Sequence, residues 1–276
     1  MSLAGKRILI TGGSRGIGLA IALRAAQDGA SVAIAAKTAE TNPKLPGTIY
    51  TAADEIRAAG GRALAIQCDL RDELQIASAV DQAATEFGGL DILINNASAI
   101  NLTNTEATPA KRFDLMFSVN VRGTFLTSQA AIPHLRASAK EGRNPHILNL
   151  SPPLSLKPKW FKNNLAYTMA KYGMSMCVLG MSEEFRRDGI AVNALWPRTA
   201  IDTAALAMIP GVDIAVCRKP EIIADSAYII LNRPAADCTG NFFIDDEVLA
   251  SEGIVDLDKY SVVPGTTEFL TDFFLD

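Results

Sequence analysis

The stretch "RILITGGSRGIGLAIALRAA" (7–26) leaves few folds open to this chain. A short apolar run, "RILI" (7–10), meets glycines at 12, 13, 16 and 18 and then passes into the helical pattern "LAIALRAAQDG" (19–29). Glycines at such a turn permit positive φ and close approach of a pyrophosphate, and the helix that follows offers free N–H groups and a partial positive charge. A tight turn alone also explains glycines. Strand, glycine turn and helix in that order, near the chain start, predict a nucleotide-binding crossover.

The alternation continues. "SVAIAA" (31–36), "ALAIQCD" (63–69), "LDILINNA" (90–97), "HILNLS" (146–151) and "IAVNALWP" (190–197) read as strands, with helical patterns such as "AADEIRAAGG" (52–61) between them. Right-handed crossovers then give an α/β fold, a doubly wound parallel sheet with helices on both faces. No repeat, low-complexity tract or linker interrupts the chain, so one domain is expected over residues 1–276. Only "KTAETNPKLPGTIYT" (37–51) and the stretch after Pro210 look irregular, and "KEGRNPH" (140–146) reads as a solvated polar turn.

Several functions are disfavoured by composition. A net charge of −4 and a pI near 5.3 argue against a nucleic-acid binder, which needs a basic face. The chain lacks an apolar run of about 18 residues to span a bilayer and a basic-then-apolar leader pattern, so a cytoplasmic protein is expected. Cysteines 68, 177, 217 and 238 are isolated and read as reduced thiols. His134 and His146 are not spaced to pair with a carboxylate or cysteine, so neither a metal site nor a Ser-His-Asp hydrolase is expected. Asp245 and Asp246, after "GNFFI", read as a strand-end turn, and "GMSMCVLGM" (173–181) as the buried face of its helix.

The end of the second strand bears on cofactor choice. A carboxylate there binds the ribose 2′-hydroxyl of NAD, whereas a cation suits the 2′-phosphate of NADP. Here Ala36 and Lys37 stand without an acid, and Arg15 lies inside the glycine turn, which favours NADP(H). Simple solvation of both cations is the alternative.

In "AYTMAKYG" (166–173), Tyr167 and Lys171 stand four apart, on one face of a helix. A free tyrosine has a pKa of about 10, too high for efficient proton transfer near neutrality. An adjacent ammonium and a positively charged oxidised nicotinamide favour the phenolate. Tyr167 is therefore the candidate general acid for carbonyl reduction, or base for alcohol oxidation, with Lys171 tuning it.

"TGxxxGIG" (11–18), "NNA" (95–97) and the YxxxK of Tyr167 and Lys171, in this order, resemble the short-chain dehydrogenases/reductases. That resemblance implies a Rossmann-type sheet and extends to nearly the whole chain. It implies cofactor contacts at Gly12, Ser14, Arg15, Gly16, Ile17, Gly18 and Lys37, with Asp69 and Asn96 near the adenine and its ribose. Lys171 would also hold the nicotinamide ribose, and Asn120, in "FSVNVRG", would anchor a water leading to it. "NALWPRTAIDT" matches the family's PG segment, placing Pro197, Thr199, Ile201 and Thr203 about the nicotinamide and phosphates. Two departures stand out: Arg198 replaces the glycine, and "NNAS" stands where NNAG is usual.

The family serine lies about a dozen residues before the tyrosine. Ser155 has that spacing, but Ser151 closes the strand "HILNL" and is favoured for its fixed position, sixteen residues before Tyr167. A serine ahead of Pro152 and Pro153 is also an ordinary strand stop. The expected substrate is a hydrophobic alcohol or ketone, such as a fatty acyl derivative or a steroid-like molecule. The apolar "AALAMIPG" (204–211) reads equally as a lid or as subunit packing. By resemblance, a homodimer or homotetramer is expected. A catalytically weak NADP- or lipid-binding module that kept the fold is the alternative to an enzyme.

Overall fold

All five residues of β1, Arg7–Thr11, are buried, and so are all six of β2, Ser31–Ala36. Strands covered by helices on both faces need unbroken apolar runs, which these sequences supply. The computed structural model describes residues 1–42, 45–209 and 211–275. Positions 43 and 44 of the irregular 37–51 segment, and position 210 of the 204–211 stripe, lie outside the described residues.

β3 (Arg62–Gln67), β4 (Ile92–Asn95), β5 (His146–Asn149), β6 (Ala191–Trp196) and β7 (Phe242–Ile244) complete a seven-stranded parallel sheet of order β3-β2-β1-β4-β5-β6-β7. β1 pairs with β2 on one side and with β4 on the other, Thr11 opposite Asn95. The winding direction reverses there, opening a crevice at the carboxyl ends of β1 and β4. Helices α1 (Gly16–Ala26), α2 (Ile49–Ala58) and α7 (Glu221–Asn232) share one apolar cluster with Ile8, Ile10, Ile92 and Leu148. α3 (Glu73–Phe87), α5 (Thr124–Lys140) and α6 (Leu165–Glu184) close the other face over Leu9, Leu93 and Ile147. Each fully buried Leu or Ile contributes roughly 1.5–3 kcal/mol.

The helices α1 and α2 begin three residues before the apolar patterns that announce them, at Gly16 and Ile49. Thr48 explains the second: its hydroxyl accepts from Thr51 N, while Thr51 returns the bond to Thr48 N. α4 (Ala110–Met116) runs into a π-helical segment, Phe117–Gly123, which runs into α5. β7 is a seventh strand that the six sequence runs do not include. Asp245 and Asp246 open α8 (Asp245–Ser251) rather than a simple turn, because a helix N-terminus favours carboxylates.

Two further expectations are corrected. Within 140–146, Arg143 is not merely solvated: its Nε and Nη2 donate to Asp91, each at 2.9 Å, alongside Arg7 and Ser138. Along 173–181, Met174, Val178 and Met181 are buried, but Met176 and Leu179 are exposed, since α6 packs on the sheet by one face only.

Candidate active site

The glycine turn sits in the crevice at the end of β1. Gly12 has φ +67°, and a Cβ there would lie 2.8 Å from Ala97 Cα. A Cβ on Gly18 would lie 2.5 Å from Asn96 Nδ2 and 2.8 Å from Gly12 O, so only glycine lets α1 start this close to β4. Leu19 N is the first amide to bond back within the helix, to Arg15 O, so the N–H groups of Gly16, Ile17 and Gly18 face the turn without helical acceptors. Ser14 is buried beside them. This cradle, kept clear of side chains, fits the pyrophosphate of a dinucleotide. Thr203 lies against it: a Cβ on Gly16 would sit 3.3 Å from Thr203 Cγ2.

Asn96 Nδ2 donates to Thr11 O (3.0 Å) and Gly12 O (2.9 Å), bracing the turn from the end of β4. Arg15 donates to Pro46 O (2.9 Å) and Gly47 O (2.6 Å), tying the 45–47 loop to the turn. Burial lowers its pKa. Lys37 lies 3.6 Å from Asp69 Oδ2 and is largely exposed. The Arg71 guanidinium, with Lys37 helping, holds the Asp69 carboxyl well below its ordinary range.

At the ends of β5 and β6 lie the other predicted residues. Asn149, last in β5, accepts from Asn95 Nδ2 (2.9 Å) and donates to Met174 O (3.2 Å), while Asn95 also donates to Ser128 (3.0 Å). This buried network fastens β4, β5, α5 and α6 together. Composition gave no signal for it; the double asparagine of "NNAS" was the only one. Ser151, two residues beyond Asn149, is fully buried, and its Oγ has no hydrogen-bond partner. A buried hydroxyl left unsatisfied is costly and calls for an explanation. Ser155 differs: it is part-exposed in the following loop, its hydroxyl accepts from Lys157 N at 3.4 Å, and its backbone is held by the Tyr172 hydroxyl.

α6 carries Tyr167 and Lys171, both buried, on one face. The same helix fixes the proline corner, because Ser175 Oγ donates to Pro152 O at 2.6 Å. Lys171 Nζ donates to Leu150 O at 2.6 Å and lies 4.9 Å from the centre of the Trp196 ring. Burial lowers the Lys171 pKa, opposed by the carboxylate of Asp272. The Tyr167 hydroxyl is pushed up, first by burial and then by Asp272. Burial thus favours the protonated phenol of Tyr167, and Lys171 is directed at the Leu150 carbonyl. Asn120, in the π-helical segment, is buried and exchanges hydrogen bonds with Ala99, accepting from its N–H (2.7 Å) and donating to its carbonyl (3.0 Å).

Pro197 and Thr199 are buried after β6, Ile201 joins the α1–α7 core, and Thr199 Oγ1 has no partner. Arg198 does not adopt positive φ, so no glycine is required there. Its N–H donates to Asp245 (2.8 Å) and its guanidinium turns onto Asp246 and Glu247 of α8. The chain's tail closes on this segment, which no motif in the sequence announces: Thr271 bridges Thr199, and Asp272 N donates to Arg198 O at 3.0 Å.

The family model "short chain dehydrogenase" matches residues 6–209. Hydroxysteroid dehydrogenase-like protein 2 of Danio rerio is 64% identical over 275 residues, which cover 99% of this chain and 65% of that protein, so the chain spans less than two thirds of its length. A crystal structure of a Xanthomonas campestris protein assigned as a dehydrogenase superposes with a TM-score of 0.96 at 57% identity, covering 100% of both chains. A short chain dehydrogenase of Burkholderia cenocepacia in complex with NADP gives 0.73 at 30% identity, covering 88% of this chain and 97% of that one. The reversal of the sheet at β1, the glycine cradle, the serine just beyond β5 and the Tyr167–Lys171 helix thus accompany a match over most of the sequence, and the chain belongs to the short-chain dehydrogenase family.

Proposed function

We propose that this chain is an NADP(H)-dependent oxidoreductase that interconverts a hydrophobic alcohol and its ketone, fatty acyl or steroid-like in shape. The observation that carries the reading is the Ser151 hydroxyl, sealed and unpartnered beside the carbonyl that Lys171 holds. An incoming substrate oxygen satisfies it. Tyr167 would donate its proton to that oxygen as charge develops there, with the positive charge of Lys171 offsetting the burial that otherwise favours the protonated phenol. NADPH, when bound, supplies the hydride to the carbonyl carbon. The cradle formed by Gly12, Ser14, Gly16, Ile17 and Gly18 would hold its pyrophosphate, with Arg15 and Lys37 at the 2′-phosphate, Asp69 and Asn96 toward the adenosine, and Pro197, Thr199 and Ile201 at the nicotinamide. Asn120 positions a water by Lys171. The apolar surroundings of Tyr167, among them Met116, Trp196 and Phe274, suit a hydrophobic substrate.

Other parts of this reading rest on surface and thiol chemistry. Exposed apolar side chains on α5 and α6, namely Phe125, Met169, Met176 and Leu179, support a homodimer or homotetramer built through these helices. No described helix is long and apolar enough to cross a membrane. Four free cysteines fit a reducing compartment such as the cytoplasm. One domain over residues 1–276 suits the single sheet.

A second reading, a module that binds NADP or lipid with little turnover, is favoured by one observation: Ser151 and Tyr167 are both closed off from solvent. NADPH consumption across ketosteroids, 3-ketoacyl thioesters, enoyl thioesters and quinones separates the two. The enzyme reading expects turnover that falls about 10²–10⁴-fold in Tyr167→Phe. Turnover unchanged by that substitution overturns it.

A further inference from the structure

Phe274 is buried, and its ring stands against the rings around the catalytic helix. Centroid distances are 6.3 Å to Tyr167, 5.3 Å to Tyr172, 5.8 Å to Trp196 and 6.1 Å to Trp160. These separations lie in the range of favourable aromatic pairing. Three elements therefore converge on one side chain of the tail: the loop after Ser151, two turns of α6 and the end of β6.

Few backbone bonds hold the tail in place. Leu270 accepts from Ala200 N (2.8 Å) and donates to Val216 O (3.0 Å), Asp272 N donates to Arg198 O (3.0 Å), and Trp196 Nε1 donates to Phe273 O (2.9 Å). Phe274 itself sits at φ +74°, a conformation that a bulky residue adopts only under constraint. Its ring is thus placed at a backbone cost, in the apolar space beside the Tyr167 ring.

We propose that Phe274 determines the size of substrate this site accepts, because its ring occupies the space next to Tyr167 that the body of a bulky carbonyl compound must enter. This inference rests on the reading of Tyr167 and Ser151 as the substrate end of the site. Small ketones and extended acyl chains fit beside the ring; a fused-ring ketone, and so the steroid-like end of the proposed substrate range, requires it to move aside. Glycine at 274 removes the ring and also suits the positive φ, so this variant opens the site without adding backbone strain.

The test uses a built-in reporter. The chain has two tryptophans, and both flank Phe274, so tryptophan emission follows occupancy whether or not turnover occurs. Wild type, Phe274→Gly and Phe274→Leu are titrated with cyclohexanone and with 2-decalone, and NADPH oxidation is measured in parallel. The expected result is a Kd for 2-decalone lowered at least about tenfold in Phe274→Gly, against a change below about threefold for cyclohexanone. Phe274→Leu shifts the same ratio in the same direction by a smaller factor, and decides the matter if the glycine variant is unfolded. An unchanged ratio, or equal shifts for both ketones, overturns the proposal. A shifted binding ratio without turnover in any variant leaves this inference standing and removes the oxidoreductase reading. Tyr167-dependent turnover with an unshifted ratio does the reverse.

Discussion

Lys171 donates from α6 to the carbonyl of Leu150, 2.6 Å away, the residue immediately before Ser151. One hydrogen bond thus couples the lysine to the strand end that carries the candidate substrate hydroxyl, and Tyr167 follows because it rides one turn earlier on the same helix. The charge on Lys171 is set between burial, which lowers its pKa, and Asp272, which raises it.

Asp272→Asn removes that counter-charge. Without it the Lys171 pKa falls further, so the pH dependence of turnover in the variant is expected to shift toward lower pH. Stability gives a second readout. Burial raises the Asp272 pKa to about 7, against an ordinary 3.8, so the folded chain binds this proton more tightly than the unfolded one. Its contribution is complete below the ordinary value and is lost as pH rises through about 7. Wild type should lose Tm between pH 5 and pH 8 relative to Asp272→Asn, by on the order of 5 °C in a thermal scan. Parallel curves for the two proteins would refute this account.

Lys37→Asp tests cofactor choice. The substitution places a carboxylate where the 2′-phosphate is expected and also breaks the contact with Asp69. NADPH affinity should fall by about 10–100-fold while NADH affinity changes by less than about threefold, as read by fluorescence titration. Equal losses for both cofactors would return Lys37 to the solvated surface.

Asp91→Asn tests the buried ion cluster of Asp91, Arg7 and Arg143. Burial pushes the Asp91 carboxyl up, but hydrogen bonds from Arg143, Arg7 and Ser138 outweigh it and hold the pKa well below its ordinary value. A depressed carboxyl stabilises the fold above its unfolded pKa, and that contribution is lost as pH falls below it. Asparagine leaves Arg7 and Arg143 with only the half-exposed Glu141 as counter-charge, so a loss of roughly 3–5 kcal/mol is expected at pH 7 by denaturant unfolding. Wild type and variant should converge as pH drops below about 4.

What the sequence revealed and what it hid follow from distance along the chain. The glycine turn and the Tyr167–Lys171 pair are local patterns, fixed by one turn of helix or one strand end, and could be read directly. Ser151 could be preferred over Ser155 because a strand end holds a side chain more firmly than a loop; the structure adds that the Ser155 region is held through Tyr172. Asp272 and Phe274 come from more than a hundred residues beyond Tyr167, and only their pairing with residues 198–200 brings them to it. Arg143 looked solvated because nothing nearby in sequence announces Asp91. Arg198 looked like a defect in the PG segment because its partners, Asp246 and Glu247, lie on a helix that the apolar pattern did not reveal.

The π-helical segment Phe117–Gly123 has a consequence for how this scaffold tolerates length changes. A wider turn carries one more residue than an α-helix would, so α4 and α5 are out of phase across it. Deleting a single residue there would let the helix regularise without rotating α4 against α5, at the cost of the widened turn that carries Asn120. Asn120 would then swing away from Ala99, while α5 would still present Ser128 to Asn95. The widened turn thus confines the damage of a one-residue deletion to the loop that Asn120 holds after β4, and spares the asparagine network at the strand ends.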